Sequence, residues 1–228
     1  MVLFLAVQVL SVVLALGPRV VISTSEAITI QLSNVVQCEP VSFILTGQPH
    51  ATPTWLTLVP FSSAPVFIPI TNTSSTLNSV NVTFVPFAAG TDFIASLDDA
   101  NHSSVAEVSD IVRVLPSPSR DVSCLVKSDG RAGSDYVLNT NTVSQCENFT
   151  LQYNRTAIFQ TPTVRLFNPE GPSLLLKSTS DDTATGVATY LLSFVRNKEV
   201  VLVFDDGAGH NASSAIMTAE MSQAPWIA

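Results

Sequence analysis

Gln37-Cys38-Glu39-Pro40-Val41-Ser42-Phe43-Ile44-Leu45 sets the reading of the whole chain. Its first three residues return as Gln145-Cys146-Glu147, and Thr52-Pro53-Thr54 returns as Thr161-Pro162-Thr163. Leu97-Asp98-Asp99-Ala100-Asn101-His102-Ser103-Ser104 is echoed by Phe204-Asp205-Asp206, followed by His210-Asn211-Ala212-Ser213-Ser214. The matches keep their order at an offset of about 107–110 residues, too long for a solenoid unit and right for a domain. On this register Asn101 and Asn211 match, as do His102 and His210, which places both pairs on exposed loops. The rest of the opening stretch alternates: Val41, Phe43 and Leu45 point one way and Ser42 the other, the period of a half-buried strand. Two similar all-β domains in tandem are therefore expected.

Composition supports this reading. Of the 228 residues, 46% are hydrophobic and only 12% charged, too apolar for a disordered chain. The net charge of −8 argues against a nucleic-acid or anionic-lipid footprint. Short apolar runs separated by turn residues recur along the chain. In the first unit they are Ile28–Ser33, Val41–Thr46, Thr54–Val59, Val66–Ile70, Val80–Val85, Asp92–Leu97 and Val105–Val114. In the second they are Tyr136–Leu138, Phe149–Tyr153, Val164–Phe167, Ser173–Lys177, Val187–Val195, Glu199–Phe204 and Ser213–Glu220. About seven strands per unit indicates immunoglobulin-like or fibronectin-like β-sandwiches, without the antibody-type Cys–Trp–Cys core around Trp55. The boundaries expected are a signal segment at 1–23, domain one at 24–116, a linker at 117–133 and domain two at 134–228.

Met1 to Gly17 is an apolar run with no charge before Arg19, broken by Gly17-Pro18. It reads as a cleaved signal helix rather than a retained anchor, with no membrane span in the mature chain. Asn72, Asn81, Asn101, Asn148, Asn154 and Asn211 each begin an N-x-[ST] sequon, in keeping with export. Of the three cysteines, Cys38 and Cys124 stand near the ends of domain one, so a bridge between them would close a long loop. The rival pairing is Cys124–Cys146, and an odd count leaves one thiol over in either case.

The reactive residue types form no catalytic, cofactor or metal constellation by sequence. Asp98-Asp99 and Asp205-Asp206 lack the D-x-[DN]-x-[DN]-G ladder of a calcium loop and read as local caps in polar turns. Asp181-Asp182 reads as a solvated Ser/Thr-rich turn. His50, His102 and His210 have no second nitrogen or sulfur ligand at close spacing, so a zinc site is not expected. G-x-S-x-G is absent. Trp55, beside Leu56 and Leu58 in a strand run, is expected in the core; Trp226 is the other tryptophan.

Val36-Gln37-Cys38-Glu39-Pro40-Val41-Ser42-Phe43, with Gln145-Cys146, Asp98-Asp99, Asp205-Asp206 and Val122-Ser123-Cys124, resembles a family of secreted two-repeat proteins of basidiomycete fungi. Leu45-Thr46-Gly47 and Tyr153-Asn154 stand where that family has Trp-x-Gly-Gly. The resemblance implies a secreted β-sandwich protein of the fungal cell wall or surface. It has a structural or binding role, no catalysis and no cofactor, and its partners would be a wall polysaccharide or a surface protein. The other reading is the truncated ectodomain of a membrane-anchored sensor or adhesin.

Overall fold

The computed structural model describes residues 28–47, 51–71, 79–125, 135–140 and 142–221. The signal segment at 1–23, the Asn72 sequon, His50 and Trp226 lie outside the described residues. The described chain is all-β, with no helix. Its strands build two sandwiches, each of two sheets.

In the first sandwich an outer sheet joins β1 (Thr29–Leu32), β2 (Val41–Thr46) and β5 (Ser79–Val82) in the order β1-β2-β5. An inner sheet joins β3 (Trp55–Pro60), β4 (Val66–Pro69), β6 (Asp92–Asp98) and β7 (Val112–Arg113) in the order β4-β3-β6-β7. In the second, the outer sheet holds β8 (Tyr136–Leu138), β10 (Asn148–Tyr153), β13 (Lys177–Asp182) and β14 (Val187–Leu191), ordered β13-β14-β10-β8. Its inner sheet holds β9 (Val143–Ser144), β11 (Thr163–Phe167), β12 (Ser173–Leu175), β15 (Glu199–Asp205), β16 (Asn211–Ser213) and β17 (Met217–Glu220). The path is β12-β11-β15-β17-β9, with β16 beside β15. The parallel β9–β17 pair is matched in the first sandwich by a parallel bridge from Val36 to Leu115.

Each sandwich has its own core. Val41, Phe43 and Leu45 meet Leu56, Leu58, Phe93 and Leu97 in the first; Phe149, Leu151 and Tyr190 meet Val164, Leu166, Leu202 and Phe204 in the second. The outer strands alternate as period-two patterning requires: β2 buries every second residue and exposes or half-exposes the others. The inner strands do not. β6 and β15 are buried along almost their whole length, because both of their faces are covered. The second covered face forms a third apolar cluster, in which Val59, Ile94 and Val108 of the first half pack on Phe167, Val201 and Val203 of the second. The molecule is thus a four-layer stack: outer sheet, inner sheet, inner sheet, outer sheet.

Backbone hydrogen bonds tie the halves at one end of the stack in equivalent pairs. Ser62 N–H donates to Ser214 C=O at 2.9 Å and Ser213 N–H to Ser63 C=O at 2.8 Å. In the mirrored contact, Glu170 N–H donates to Ser109 C=O at 3.3 Å and Val108 N–H to Gly171 C=O at 2.8 Å. Ser62 and Glu170 both take the left-handed backbone, at φ 58° and 54°. The two repeats therefore present the same surface to each other, as the subunits of a two-fold dimer do.

Several strand readings need correction. The run 105–114 is a strand only at Val112–Arg113: Ser109 N–H still donates to Ala95 C=O of β6, but Val108 N–H and Ser109 C=O turn to the second half, which interrupts the ladder. The run 213–220 is broken between β16 and β17 for the same reason. Lys177–Asp182, read as ending a strand and entering a turn, is the fully exposed edge strand β13. Val187–Val195 ends as a strand at Leu191. Residues 117–125, within the stretch read as a linker, are tied back to the first sandwich. Cys124 is disulfide-bonded to Cys38, and the Gln37 side-chain amide donates to Asp121 C=O.

Candidate functional site

Asp98 closes β6 and is completely buried. Its carboxylate accepts Thr57 Oγ1–H at 2.5 Å and Ser96 Oγ–H at 2.8 Å from its own sheet. From the other half, Arg165 of β11 donates Nη1–H to Oδ2 at 2.8 Å and Nη2–H to Oδ1 at 2.6 Å. The guanidinium lies 4.6 Å from the Phe167 ring centroid and also donates to Ser173 Oγ at 2.7 Å from Nη2. The reading of Asp98 as a local turn cap is overturned: it is one partner of a buried bidentate ion pair that joins the two sandwiches. Such a pair adds little net attraction over an apolar contact, but removing one partner strands a charge. The holding energy comes from the third cluster, at about 1.5–3 kcal/mol per buried aliphatic side chain; the ion pair sets how the sheets align.

Asp99 and Asp206 do cap turns. Asp99 Oδ1 accepts the N–H groups of Asn101 and Ser103 at 2.8 and 2.9 Å. Asp206 Oδ1 accepts those of Ala208 and His210 at 2.8 and 3.0 Å. The fourth residue of each loop is left-handed, His102 at φ 58° and Gly209 at φ 103°. These bonds fix the true correspondence: Asn101 matches Ala208, and Ser103 matches His210. The pairing of Asn101 with Asn211 is therefore off by three residues, and that of His102 with His210 by one. Asn211 sits half-buried in β16, opposite Asp205, rather than on an exposed loop.

The two histidines accordingly have different surroundings. His102 is exposed and stacks on Trp55, with ring centroids 5.8 Å apart and an interplanar angle of 24°. Trp55 is half-buried at the sheet end, not in the core. His210 Nδ1 lies 2.7 Å from Asp206 Oδ2, and its carbonyl accepts Tyr136 Oη–H at 2.7 Å. Burial would raise the Asp206 pKa, but hydrogen bonds from Ala208 and His210 outweigh it and hold the carboxyl below its ordinary value. Burial, then the nearby Asp206, Asp205 and Asp135 charges, pushes the Tyr136 hydroxyl upward.

A cleft of about 460 Å³ opens where the two halves meet, beside this network. The first half contributes Phe67 and the 101–104 loop; the second contributes Thr163, Arg165, Ser173, Leu175 and Asp205. Its walls are mixed. Phe67 is half-buried and Leu175 is 72% exposed, while hydroxyls and the Asp205 carboxylate supply polar edges. Concave, mixed walls of this kind bind small polar molecules with apolar faces. Among the described residues no group of His, Cys, Asp and Glu is arranged to hold a metal ion. Asn81, Asn101, Asn148 and Asn154 are exposed. Cys38 and Cys146 share a left-handed backbone, at φ 60° and 59°, but only Cys38 is bonded; Cys146 is a free, exposed thiol.

Sequence reasoning missed Arg165 and the inter-sheet face. The signal for that face was present: Val200-Val201-Leu202-Val203-Phe204 is apolar without a break, as strands covered on both faces are, and Leu58-Val59 interrupts the alternation of the 54–59 run.

No protein-family model matches the chain. No curated protein matches it either. Among solved structures it is similar to the BSP domain of a biofilm associated protein, at 11% identity and a TM-score of 0.28, over 87% of this chain and 30% of that one. It is also similar to a two fibronectin type-III domain segment of chicken tenascin, at 12% identity and a TM-score of 0.28, over 85% of this chain and 100% of that one. A third is SGBP-B of the Bacteroides ovatus mixed-linkage glucan utilization locus, solved with a mixed-linkage heptasaccharide. That match has 12% identity and a TM-score of 0.26, over 85% of this chain and 47% of that one. The chain thus spans less than half the length of the first and third.

Proposed function

We propose that the protein is an exported, N-glycosylated structural or binding module without catalytic activity, displayed at a cell wall or surface. The observation that carries this reading is the face-to-face stack of the two inner sheets. It spends the second face of each inner sheet on a permanent internal contact, ordered by Asp98–Arg165 and the third apolar cluster. What remains for partners is the outer sheets, the loops and the interdomain cleft, all carried on a scaffold held in one arrangement. The Cys38–Cys124 disulfide supports an oxidising compartment, and the exposed sequon asparagines fit passage through one. By its resemblance to basidiomycete two-repeat proteins, the surface would be a fungal wall, and the partner a wall polysaccharide or surface protein.

Incubating the secreted full chain with a panel of insoluble wall polysaccharides tests the reading. Retention on one polysaccharide without release of soluble sugar is the expected result. Release of oligosaccharide overturns the non-catalytic assignment.

A further inference from the structure

We infer that the interdomain cleft is the seat of the protein's own N-glycan, carried on Asn101 and folded over Leu175 and Phe67 so that it bridges the two sandwiches. The inference rests on the proposal that the chain is exported and glycosylated. Attachment bonds Asn101 Nδ2 to the anomeric carbon of a sugar, breaks that carbon's bond to the diphosphate of a lipid-linked oligosaccharide donor, and releases one amide proton.

Three observations place the glycan there. Asn101 itself lines the cleft, on the loop that Asp99 holds through the Asn101 and Ser103 N–H groups. The first sugars on this asparagine therefore begin at the rim of a space of small-ligand size. Across the cleft from this loop stands Leu175, an aliphatic side chain 72% exposed on β12. Beside the loop, the half-buried Phe67 and the His102 ring, 6.3 Å apart between centroids, present ring surface. Sugar rings carry C–H faces that cover such surface and hydroxyl edges that reach acceptors, here the Asp205 carboxylate and the Ser173 hydroxyl. Finally, the equivalent loop of the second sandwich has Gly207-Ala208-Gly209 in place of the sequon. There His210 is drawn in against Asp206, so the loop closes on itself. Only the loop bearing an acceptor asparagine faces the apolar wall.

The test is site-resolved trimming of the folded full chain secreted from a glycosylating host. An endoglycosidase that cuts within the glycan core is applied to the native protein, and the loss of sugar is followed by glycopeptide mass spectrometry. Asn81, exposed on the outer sheet, serves as the open reference. The Asn101 glycan is expected to be trimmed roughly tenfold more slowly than the Asn81 glycan. Leu175→Ser, an exposed substitution that leaves the fold intact, should bring the two rates together. Glycan on Asn81 with Asn101 bare, or equal trimming rates at the two sites in the parent protein, overturns this inference alone. No glycan on any sequon overturns the export proposal and the inference together.

Discussion

Asp98 and Asp205 end equivalent strands of the two repeats, yet they have diverged completely. Asp98 is fully buried, bound by two hydroxyls and a guanidinium. Asp205 is half-exposed, and its carboxylate accepts the Gly207 N–H at 2.7 Å. The difference lies in two positions: Ser96, a donor to Asp98, is matched by Val203, and the neighbouring strand differs as well. The second repeat places Arg165 where the first places Thr57, so the repeats present the same face but only one supplies a cation. A symmetric contact has become directional: the second half donates and the first accepts. The cysteines diverge in the same way, Cys38 bonded and Cys146 free.

The largest expected effects break this asymmetry at its committed members. Removing the Cys38–Cys124 bridge with the double variant C38A/C124A should cost about 4–5 kcal/mol, since the bond closes a long loop in the unfolded chain. C146A should stay within about 0.5 kcal/mol of the parent. Guanidinium unfolding midpoints compare the two; equal losses would mean that Cys146 has a structural partner. Next, Asp98→Ala strands the Arg165 guanidinium, whose side chain is only 14% exposed, and should cost about 3–5 kcal/mol. Asp205→Asn should move the midpoint by less than about 0.5 kcal/mol. Combining D98A with R165M removes both charges, and the double variant should recover most of the loss. A double variant as unstable as D98A would show that Arg165 acts through packing alone.

Much of this was legible in the sequence, and the gaps have physical causes. The tandem repeat and the alternation of Val41-Ser42-Phe43-Ile44-Leu45 identified two β-sandwiches. Alternation describes a sheet with one wet face, so it said nothing of sheets covered twice. Leu56 through Val59 and Val200 through Phe204 were read as ordinary strands, and the contact between the halves went unseen. Lys177–Asp182 failed for the opposite reason: an edge strand exposed on both faces has no apolar period to detect. At the candidate site, the turn-capping role of Asp99 and Asp206 was readable from residue type. That of Asp98 was not, because its partner lies in the other repeat and depends on how the halves dock. The histidine pairing failed because matching letters were aligned across a loop whose register is set by backbone bonds to the second aspartate of each pair, Asp99 and Asp206.

A smaller effect is the pH dependence of the Asp206 loop. The folded Asp206 carboxyl sits below its ordinary value of 3.8, despite burial, because Ala208 and His210 donate to it. A group depressed on folding adds stability above its unfolded pKa and loses it as pH falls through the folded value. Asp206→Asn keeps an oxygen acceptor for the backbone N–H groups but cannot titrate. Its stability should therefore fall less steeply than the parent's below about pH 4. Thermal midpoints measured from pH 6 down to pH 2 give the slopes; identical slopes would remove Asp206 from the acid sensitivity.

The smallest expected effect lies at the other end of β6. Asp92 accepts Arg113 Nε–H and Nη2–H at 2.7 Å each, as complete a bidentate pair as Asp98–Arg165. The Arg113 hydrogen bonds hold the Asp92 carboxyl below its ordinary value. The Arg113 side chain is 67% exposed, however, so water and salt solvate either charge once the other is removed. Arg113→Gln should therefore leave the unfolding midpoint unchanged, at low salt and at high salt alike. The two pairs share one strand and one geometry and differ in burial. A loss at Arg113 comparable to that of D98A would mean that hydrogen-bond geometry, rather than the stranding of a buried charge, makes Asp98 indispensable.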